Sequence, residues 1–384
     1  MAVLLKGGMV FKDRGFVKTD MLMADGVIAA VGEGLRIEGV QSVDATGKRI
    51  VPGFLDIHTH GAVGVDVNAA DADGFEKICR FQASCGATGW LCSILTDTRE
   101  QTLACIEEYK RWKTVEHKGS RLLGIHLEGP FLSPEYKGAM PEHLLQKPDL
   151  KLVKEYQEAA QGEIRYITVS PEIPGMTEFI PKLCAMGITV AIGHSGADYD
   201  TARSAIAGGA AAATHTGNAM RLLHQHQPAI WGAVLEDDKV SCEVICDGRH
   251  LHPGTVRLIL KTKGIHRVVA VTDSIMAAGL PDGNYKLGVN DVVVVDGDAC
   301  LADGGARAGS TLTSGRALKN LAAFTGRPLE ELILLLTENP ARLIGVYDRV
   351  GSLDTGKDAD VVLLDEALDI DRVYVKGELC FSRT

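Results

Sequence analysis

The residues of this sequence best suited to chemistry are histidines and carboxylates that directly follow short apolar runs. Imidazole and carboxylate groups together are the ligands that zinc and its neighbours in the first transition row favour. The set consists of His58 and His60 after FLDI, Glu128 after LGIHL, His194 after VAIG, His215 after AAT and Asp273 after VVAVT. Because the same arrangement recurs after separate apolar runs, the sequence predicts a site for a divalent metal.

Spacing and residue type refine this prediction for the first pair and for the last carboxylate. His58 and His60 are two residues apart, so both side chains point to the same side of a strand. Asp273 is suited to moving protons. A metal lowers the pKa of a water that it binds to about 7, and a nearby carboxylate can pass the released proton to a leaving nitrogen. A plain metal ligand or a helix cap are the other roles open to Asp273.

A single histidine at the end of a strand is ordinarily a surface residue or a hydrogen-bonded one. We keep that interpretation for five histidines without such neighbours, which are His117, His143, His224, His252 and His266. His250 differs, because it follows the seventh predicted strand within the segment DGRH.

These side chains need a scaffold that brings strand ends together, and the middle of the chain predicts one. The apolar runs that read as strands are Gly53–Ile57, Gly89–Ser93, Leu122–Leu127, Ile164–Val169, Thr189–Ile192, Ala211–Thr214, Ser241–Cys246 and Val268–Thr272. Helical segments between them include Phe75–Ser84, Gln101–Thr114, Ala202–Ala207 and Thr255–Lys261. The alternation predicts an α/β fold with a parallel sheet, and its length matches a (β/α)8 TIM-like barrel, whose catalytic residues lie at the C-terminal strand ends. A doubly wound open sheet gives a similar alternation, although no Gly-x-Gly-x-x-Gly run follows the first barrel strand.

The two ends of the chain are predicted to form a second, smaller unit. The N-terminal segment alternates short apolar runs with glycine turns, and Asp25-Gly26 is a good hairpin signal. The C-terminal segment has the same character in ADVVLL and RVYVKG. Each end is too short to bury a core alone. We therefore predict a small β-sandwich domain from residues 1–52 and 348–384, and a hydrolase barrel from residues 53–347.

Composition limits the classes of function. The 384 residues are 46% hydrophobic and 23% charged, which is ordinary for a soluble globular protein. The formal net charge is −10 and no run of lysine and arginine occurs, so we expect neither a nucleic-acid nor a membrane partner. The nine cysteines form no CxxC pair, and the N-terminus lacks the apolar stretch of a signal peptide. A cytoplasmic protein with reduced thiols is expected.

Several motifs resemble those of a known enzyme family. PGFLDIHTH at 52–60 is similar to the opening signature of the amidohydrolase superfamily, and GSLDTGKDAD at 351–360 to the stretch that returns its members to the terminal sheet. Within that superfamily the sequence resembles the N-acetylglucosamine-6-phosphate deacetylases. The segments that carry this likeness, in family order, are HLEGPFLSPEYKGA (126–139), GHS (193–195), THTGNAM (214–220), DGRH (247–250), VTDSIMAAGLPDG (271–283) and AGSTLT (308–313).

The resemblance implies a role for each candidate ligand. The residues matched to the main catalytic metal are Glu128, His194 and His215. His58 and His60 match members able to hold a second ion, and Asp273 matches the family's proton acceptor and donor. Some superfamily relatives use a metal-bridging lysine on the fourth strand, but Ile164–Glu172 contains none, which fits Glu128 as the ligand instead. One or two divalent ions, with Zn²⁺ as the expected metal, are therefore implied.

The resemblance also implies contacts to an amino sugar and its phosphate. The matching positions are Ala139, Met140, Asn218, Ala219, His226, His250 and the loop from Ala306 to Gly309. Met140 departs from the family's polar residue, and its thioether cannot replace that hydrogen bond to the substrate. His226 replaces the arginine that reaches the phosphate from the partner subunit of the family dimer, and it lacks arginine's bidentate fork. Thr216-Gly217 replaces bulkier residues before Asn218.

The predicted reaction is hydrolysis of the N-acetyl group of N-acetylglucosamine 6-phosphate to glucosamine 6-phosphate and acetate, by a homodimer. Met140 and His226 motivate an alternative, a deacetylase of N-acetylgalactosamine 6-phosphate or of an unphosphorylated sugar. A cyclic-amide hydrolase such as a dihydropyrimidinase fits less well, because the fourth-strand lysine is missing and HLEGPF is present. A non-catalytic binding protein descended from such enzymes would have lost ligands, and all six candidates are present here.

Overall fold

A computed structural model describes residues 2–115 and 117–383 of the chain. Its strands, in chain order, are β1 (Ala2–Lys12), β2 (Gly15–Ala24), β3 (Val27–Gly32), β4 (Gln41–Asp44), β5 (Arg49–Pro52), β6 (Phe54–Thr59), β7 (Gly61–Ala62), β8 (Val65–Asp66), β9 (Ala87–Leu95), β10 (Arg121–Glu128), β11 (Ile164–Val169), β12 (Thr189–Ile192), β13 (Ala212–Ala213), β14 (Ser241–Ile245), β15 (Val268–Val271), β16 (Gly283–Leu287), β17 (Asn290–Val295), β18 (Asp298–Leu301), β19 (Val361–Leu364), β20 (Ile370–Val375) and β21 (Glu378–Ser382). The α-helices are α1 (Ala72–Ser84), α2 (Arg99–Lys113), α3 (Leu150–Ala159), α4 (Met176–Ala185), α5 (Tyr199–Ala207), α6 (Ala229–Glu236), α7 (Pro253–Lys263), α8 (Ser314–Thr325), α9 (Leu329–Leu332) and α10 (Glu338–Leu343).

A barrel of parallel strands forms the centre of the fold. The strands pair in the order β6, β9, β10, β11, β12, β13, β14 and β15. Every residue of β6, β9 and β14 is buried, which explains why these strands read as continuous apolar runs in the sequence. The first and last strands meet at their C-terminal ends, where the backbone N–H of Asp273 donates to His58 at 2.8 Å and that of His60 to Ser274 at 2.7 Å. This closure confirms the (β/α)8 barrel and excludes the open doubly wound sheet.

The predicted elements of the barrel agree with the observed ones except at their ends. Strands Ile164–Val169 and Thr189–Ile192 are reproduced without change as β11 and β12. Helix α1 begins at Ala72, three residues before the predicted start, because the Asp71 side chain caps it by accepting from the backbone N–H of Gly74 at 2.8 Å. Capping groups of this kind, rather than the apolar pattern, fix where a helix begins.

The two chain ends build one further sheet. It runs β21, β20, β19, β5, β1, β2, β3, with β4 added on β1. The Asp25-Gly26 hairpin is confirmed, since Ala24 pairs with Val27 and both turn residues have positive φ, at 51° and 81°. The C-terminal β19 pairs antiparallel with the N-terminal β5, so neither end forms this sheet alone. The predicted domain boundaries at 52/53 and 347/348 stay a prediction.

An antiparallel three-stranded sheet, β16–β18, was not predicted from the sequence. It is inserted after β15, between Asp273 and the loop from Ala306 to Gly309. An apolar cluster attaches this sheet to the barrel mouth, with members Leu95, Leu132, Met140, Ile275, Ala277, Leu287, Val292, Val294, Ala299 and Ala308. The insertion therefore forms a wall beside the C-terminal strand ends.

Two further properties concern the chain as a whole. Among residues 2–115 and 117–383, no helix combines the length and the apolar character needed to cross a lipid bilayer. All nine cysteines are free thiols, including Cys242 near the start of β14 and Cys246 just beyond its end.

Candidate active site

The six candidate residues all lie at the C-terminal end of the barrel. His58 and His60 lie at the end of β6, Glu128 ends β10, and His194, His215 and Asp273 each lie two residues beyond β12, β13 and β15. All six are buried. Their donor atoms form two groups, within each of which the atoms lie no more than 4.8 Å apart; one group is His58, His60 and Asp273, and the other is Glu128, His194 and His215.

The Glu128 carboxylate belongs to the second group and also contacts the first. Its Oε2 is 3.1 Å from Nε2 of His60, in the first group. Its Oε1 is 3.0 Å from Nε2 of His194 and 3.3 Å from Nε2 of His215, in the second group. Nε2 of His60 also lies 3.2 Å from Oδ1 of Asp273. The two groups are thus one continuous set of inward-facing donors.

Backbone carbonyls fix the orientation of two of the imidazole rings. Nδ1 of His60 donates to the Ser93 carbonyl at 2.9 Å, and Nδ1 of His194 donates to the Tyr136 carbonyl at 2.9 Å. A carbonyl oxygen can only accept, so each Nδ1 carries the hydrogen. With that hydrogen on Nδ1, each ring in its neutral form presents the Nε2 lone pair to the centre of the site, as a metal ligand must.

The spacing of the ring nitrogens fits a cation. Nε2 of His58 lies 3.1 Å from Nε2 of His60, and Nε2 of His194 lies 3.0 Å from Nε2 of His215. Two unprotonated nitrogens at that separation repel each other unless a positive charge lies between or beside them. The donor set, imidazole with carboxylate, is also the one that zinc-like ions prefer.

The charges of the site lead to the same conclusion. Within residues 2–115 and 117–383, the ion pairs of Glu128, Asp273 and Glu243 are all with histidines, and none is with a lysine or an arginine. Buried carboxylates are costly unless a positive charge balances them. The residues present therefore fit a divalent metal held at this position.

The pKa values show how negative the site is. Burial raises the pKa of Glu128, but the charge on His58 and hydrogen bonds from His194 and His215 outweigh it and hold that pKa well below its ordinary value. Burial likewise raises the pKa of Asp273, yet His58 and His60 bring it below the ordinary value. For His60, burial lowers the pKa, but Asp273 and Glu128 raise it to about 9. Both carboxylates are therefore ionised at neutral pH.

Backbone strain is concentrated at the same residues. His194, His215 and Asp273 have positive φ values of 46°, 26° and 49°. This left-handed conformation costs a non-glycine residue about 1 kcal/mol or more and persists only where neighbours enforce it. Here Ser170 Oγ donates to the His194 carbonyl, and the Ser310 N–H donates to the Asp273 carbonyl, at 2.6 and 2.7 Å.

A cavity of about 540 Å³ opens beside the donor groups. Its volume lies in the range of small-molecule sites. Seven of the predicted substrate positions line it, namely Ala139, Met140, Asn218, Ala219, His250, Ala306 and Gly309. His226 does not line the cavity of its own chain and is exposed, with Nε2 3.2 Å from the side-chain amide of Gln225. His250 is held in the wall by its Nδ1, 2.6 Å from Oδ2 of Asp247.

The structure gives a reason for the methionine at position 140. Only 3% of Met140 is exposed, and it packs in the apolar cluster that attaches β16–β18 to the barrel mouth. Its carbonyl accepts a hydrogen bond from Nζ of Lys137 at 3.2 Å. The side chain thus contributes packing where a polar residue would contribute a hydrogen bond.

Two residues near the site, Lys137 and Glu243, were missed in the sequence, whereas Arg307 lies within the predicted loop from Ala306 to Gly309. Lys137 and Arg307 line the cavity. Glu243 is fully buried in β14, with Oε2 3.0 Å from Nδ1 of His58. A signal for Glu243 was present, because a lone carboxylate interrupts the apolar run SCEVI at a position that alternation turns toward the barrel interior. The five histidines interpreted as ordinary lie outside the cavity lining.

Comparison with known proteins gives a consistent result. Residues 49–380 match the amidohydrolase family. The N-acetylglucosamine-6-phosphate deacetylase of Lysinibacillus sphaericus is 32% identical over 360 residues, which are 94% of this chain and 92% of that protein. The N-acetylgalactosamine-6-phosphate deacetylase of Escherichia coli O157:H7 is 33% identical over 380 residues, 99% of each protein.

Solved structures extend this likeness to the whole fold. The N-acetylglucosamine-6-phosphate deacetylase from Pasteurella multocida superposes with a TM-score of 0.93 at 28% identity, over 99% of both chains. A mutant of the Mycobacterium smegmatis enzyme, in complex with N-acetyl-D-glucosamine-6-phosphate, superposes with a TM-score of 0.93 at 32% identity, over 99% of this chain and 100% of that chain.

Proposed function

The chain belongs to the amidohydrolase family, and on that premise we propose that it hydrolyses the N-acetyl group of N-acetylglucosamine 6-phosphate, giving glucosamine 6-phosphate and acetate. It is a metal-dependent hydrolase with a small-molecule amino-sugar substrate. The observation that carries the proposal is the convergence of the two donor groups beside a cavity of about 540 Å³. Relatives that share nearly the full chain are named for this reaction.

We expect the two donor groups to have different tasks. Glu128, His194 and His215 would hold the main catalytic ion, and His58 with His60 would hold a second. A divalent cation in these groups, which we take to be Zn²⁺, supplies Lewis acidity toward the amide carbonyl and toward water. The Nδ1 hydrogen bond of His194 to Tyr136 keeps its ring oriented for that task.

Asp273 is proposed as the proton carrier of the reaction. It is ionised at neutral pH, because its pKa lies below the ordinary value, and so can accept a proton from the attacking water. It then donates that proton to the amide nitrogen as the C–N bond breaks, since an unprotonated amide nitrogen is a poor leaving group. Gly309 and Ser310 hold its backbone at positive φ, which directs the carboxylate to the donor groups.

The polar groups of the cavity wall are proposed to bind the sugar. His250, fixed by Asp247, is a candidate to stabilise the oxyanion or to contact a hydroxyl or the phosphate. Lys137 and Arg307 are the cavity-lining residues whose charge suits a phosphate. Since His226 lies outside the cavity of its own chain, we expect Lys137 and Arg307 to supply part of the phosphate contact that the resemblance assigns to an arginine.

A second candidate substrate is N-acetylgalactosamine 6-phosphate. The observation in its favour is the Escherichia coli O157:H7 relative, which is named for that sugar and matches 99% of this chain. Both sugars need the same hydrolytic chemistry, and they differ in the orientation of one hydroxyl. The distinction therefore depends on cavity-wall contacts and not on the donor groups.

We further propose that the enzyme is a cytoplasmic homodimer. The exposed position of His226 supports this proposal, because a side chain directed away from its own cavity is free to serve that of a second copy. Nine free thiols are compatible with a reducing compartment. Sedimentation of the purified protein measures the oligomeric state.

Acetate release from a panel of sugars tests the substrate. We expect rapid turnover of N-acetylglucosamine 6-phosphate, with kcat/KM at least tenfold above that for N-acetylgalactosamine 6-phosphate and for unphosphorylated N-acetylglucosamine. A higher kcat/KM for N-acetylgalactosamine 6-phosphate than for N-acetylglucosamine 6-phosphate would make the galactosamine derivative the assigned substrate. Equal turnover with and without the phosphate would contradict a phosphate subsite.

A further inference from the structure

Strand β14 contains a carboxylate that the proposed mechanism leaves unused. Glu243 has no exposed surface, and its neighbours along the strand, Cys242 and Val244, are buried as well. Moving a carboxylate out of water costs several kcal/mol, so a position of this kind needs strong compensation. Its partners identify what that compensation is.

Three donors converge on the two oxygens of Glu243. Oε2 is 3.0 Å from Nδ1 of His58 and accepts from the backbone N–H of His215 at 3.0 Å. Oε1 accepts from the hydroxyl of Tyr166 at 2.7 Å. His58 belongs to one donor group and His215 to the other. A single oxygen atom therefore touches both halves of the site.

The charge of Glu243 is balanced through a single histidine. In the described part of the chain its one ion pair is with His58, and no lysine or arginine is within ion-pair distance. The positive charge that compensates it has to act through the His58 ring, whose Nε2 points to the centre of the site. A carboxylate behind an imidazole keeps the hydrogen on Nδ1, fixes the ring and makes Nε2 a stronger ligand.

The backbone contact has a separate effect. His215 has a φ of 26°, an unfavourable value for a residue with a side chain. The hydrogen bond from its N–H to Oε2 holds that conformation, and Nε2 of His215 consequently lies 3.0 Å from Nε2 of His194. Loss of the Glu243 carboxylate therefore affects one donor group through the backbone of His215 and the other through the ring of His58.

We propose that Glu243 is a positioning residue shared by the two donor groups, which holds the His58 ring in one and the His215 backbone in the other. The inference rests on the proposed function, because it concerns the metal of that site. One buried carboxylate thereby couples the two ion positions. Loss of its charge weakens Zn²⁺ binding most at the His58 group, where the contact is directly to the ligand.

The test measures Zn²⁺ bound per chain as free Zn²⁺ is varied in a chelator buffer, which needs no turnover. Glu243→Gln keeps the size of the side chain and removes the charge. We expect the affinity for the more weakly held ion to fall about 10- to 100-fold. Glu243→Asp retains the charge on a shorter side chain, and its affinity is expected to lie between that of the wild type and that of E243Q.

Two control variants separate positioning from general damage to the barrel. Val244→Ala removes buried volume from the same strand and is expected to lower the midpoint of thermal unfolding without changing Zn²⁺ affinity. Tyr166→Phe removes the third donor and leaves both contacts to the histidines, so near wild-type affinity is expected. The midpoint of thermal unfolding of metal-free E243Q should be no lower than that of metal-free V244A.

Each outcome bears on the proposal. Wild-type Zn²⁺ affinity in E243Q, or an equal loss in V244A, would overturn the role of Glu243 and leave the proposed function standing. A wild-type chain that takes up no Zn²⁺ would overturn both. A selective loss in E243Q that is partly restored in E243D supports the shared positioning role.

Discussion

Single residues determine the chemistry of this site through the direction in which each donor atom points. The Glu128 carboxylate contacts histidines of both donor groups, and carbonyl acceptors behind His60 and His194 turn the Nε2 atoms inward. The consequence is a set of donors that is negative and ready to hold a cation before substrate enters. Substitution of Asp273 should impair the reaction more than it impairs metal binding.

Asp273→Asn tests that distinction. The amide retains an oxygen but cannot accept the proton of the attacking water, so kcat is expected to fall about 10²- to 10⁴-fold. The loss should be similar at pH 6 and pH 8, because the pKa of Asp273 lies below its ordinary value and the carboxylate is ionised at both. Acetate release gives kcat, and metal analysis serves as the control, with at least one ion expected to remain bound.

Arg307→Ala tests the phosphate subsite at the same scale. Arg307 lines the cavity, and its guanidinium donates to Asp298 at 2.9 and 3.0 Å. Loss of one charge-assisted contact, at about 1.5 kcal/mol or more, should raise KM for the phosphorylated sugar roughly tenfold. Turnover of the unphosphorylated sugar should not change. Arg111→Ala, which removes the same charge from an exposed position on α2, is the matched control.

How far the sequence predicts this site depends on the residue. The six candidates were found because each follows an apolar run, and parallel strands bring such positions to one face. Met140 was identified as a departure, but its packing role depends on β16–β18, which the sequence did not predict. Arg307 lies within the predicted loop from Ala306 to Gly309, whereas Lys137 has no strand end beside it, so only the folded cavity wall shows where Lys137 lies.

At the scale of elements, the loop before α8 holds Asp273 in place. Gly309 has a φ of +62°, and a Cβ there would lie 2.4 Å from Cγ2 of Ile275 and 2.9 Å from the Asp273 carbonyl. Only glycine allows the loop to approach β15 this closely. The short β16–β18 sheet adds the apolar cluster that keeps the same wall closed.

Gly309→Ala should therefore destabilise the protein and displace Asp273. We expect the free energy of unfolding to fall by about 1–3 kcal/mol from overpacking, together with a loss of kcat. Gly326→Ala is a close match, because its φ is also +62° but no atom lies within 4 Å of the added Cβ. Denaturant unfolding and acetate release measure both effects. Equal losses of unfolding free energy and of kcat in G309A and G326A would contradict the role of the close contact between Gly309 and Ile275.

Some elements were predictable and others were not, for physical reasons. Strands β11 and β12 are rich in β-branched and aromatic residues, which favour strands, and the prediction matched them to the residue. Strands β16–β18 contain exposed valines, such as Val289 in their first turn and Val295 at the end of β17, and an antiparallel insertion breaks the βα alternation on which the prediction relied.

At the scale of the whole molecule, the barrel and the terminal sheet are joined by buried charges. Arg121, the first residue of β10, is paired with Asp358 at 2.8 Å and also with Asp360, directly before β19. Its side chain is only 16% exposed. The neighbouring Arg349 also pairs with Asp358, so the contact forms a small network.

Arg121→Ala should destabilise the whole chain, because it leaves two largely buried carboxylates short of a partner. We expect a loss of about 3 kcal/mol in the free energy of unfolding. Arg99→Ala breaks an exposed pair with Glu155 on the barrel surface, which solvent screens, and should cost much less than R121A. Urea titration compares the two. A cost for R121A no greater than that for R99A would show that the network does not join the two sheets energetically.

The two donor groups are proposed to hold the metal on which sugar deacetylation by this chain depends. The most direct measurement is acetate release from N-acetylglucosamine 6-phosphate by chelator-stripped protein, as Zn²⁺ is returned in steps and the bound ions per chain are counted. We predict no turnover in the stripped protein and recovery that follows ions bound, reaching its maximum at one or two per chain. Undiminished turnover in protein that retains no metal, or no turnover when both groups are filled, would contradict the account.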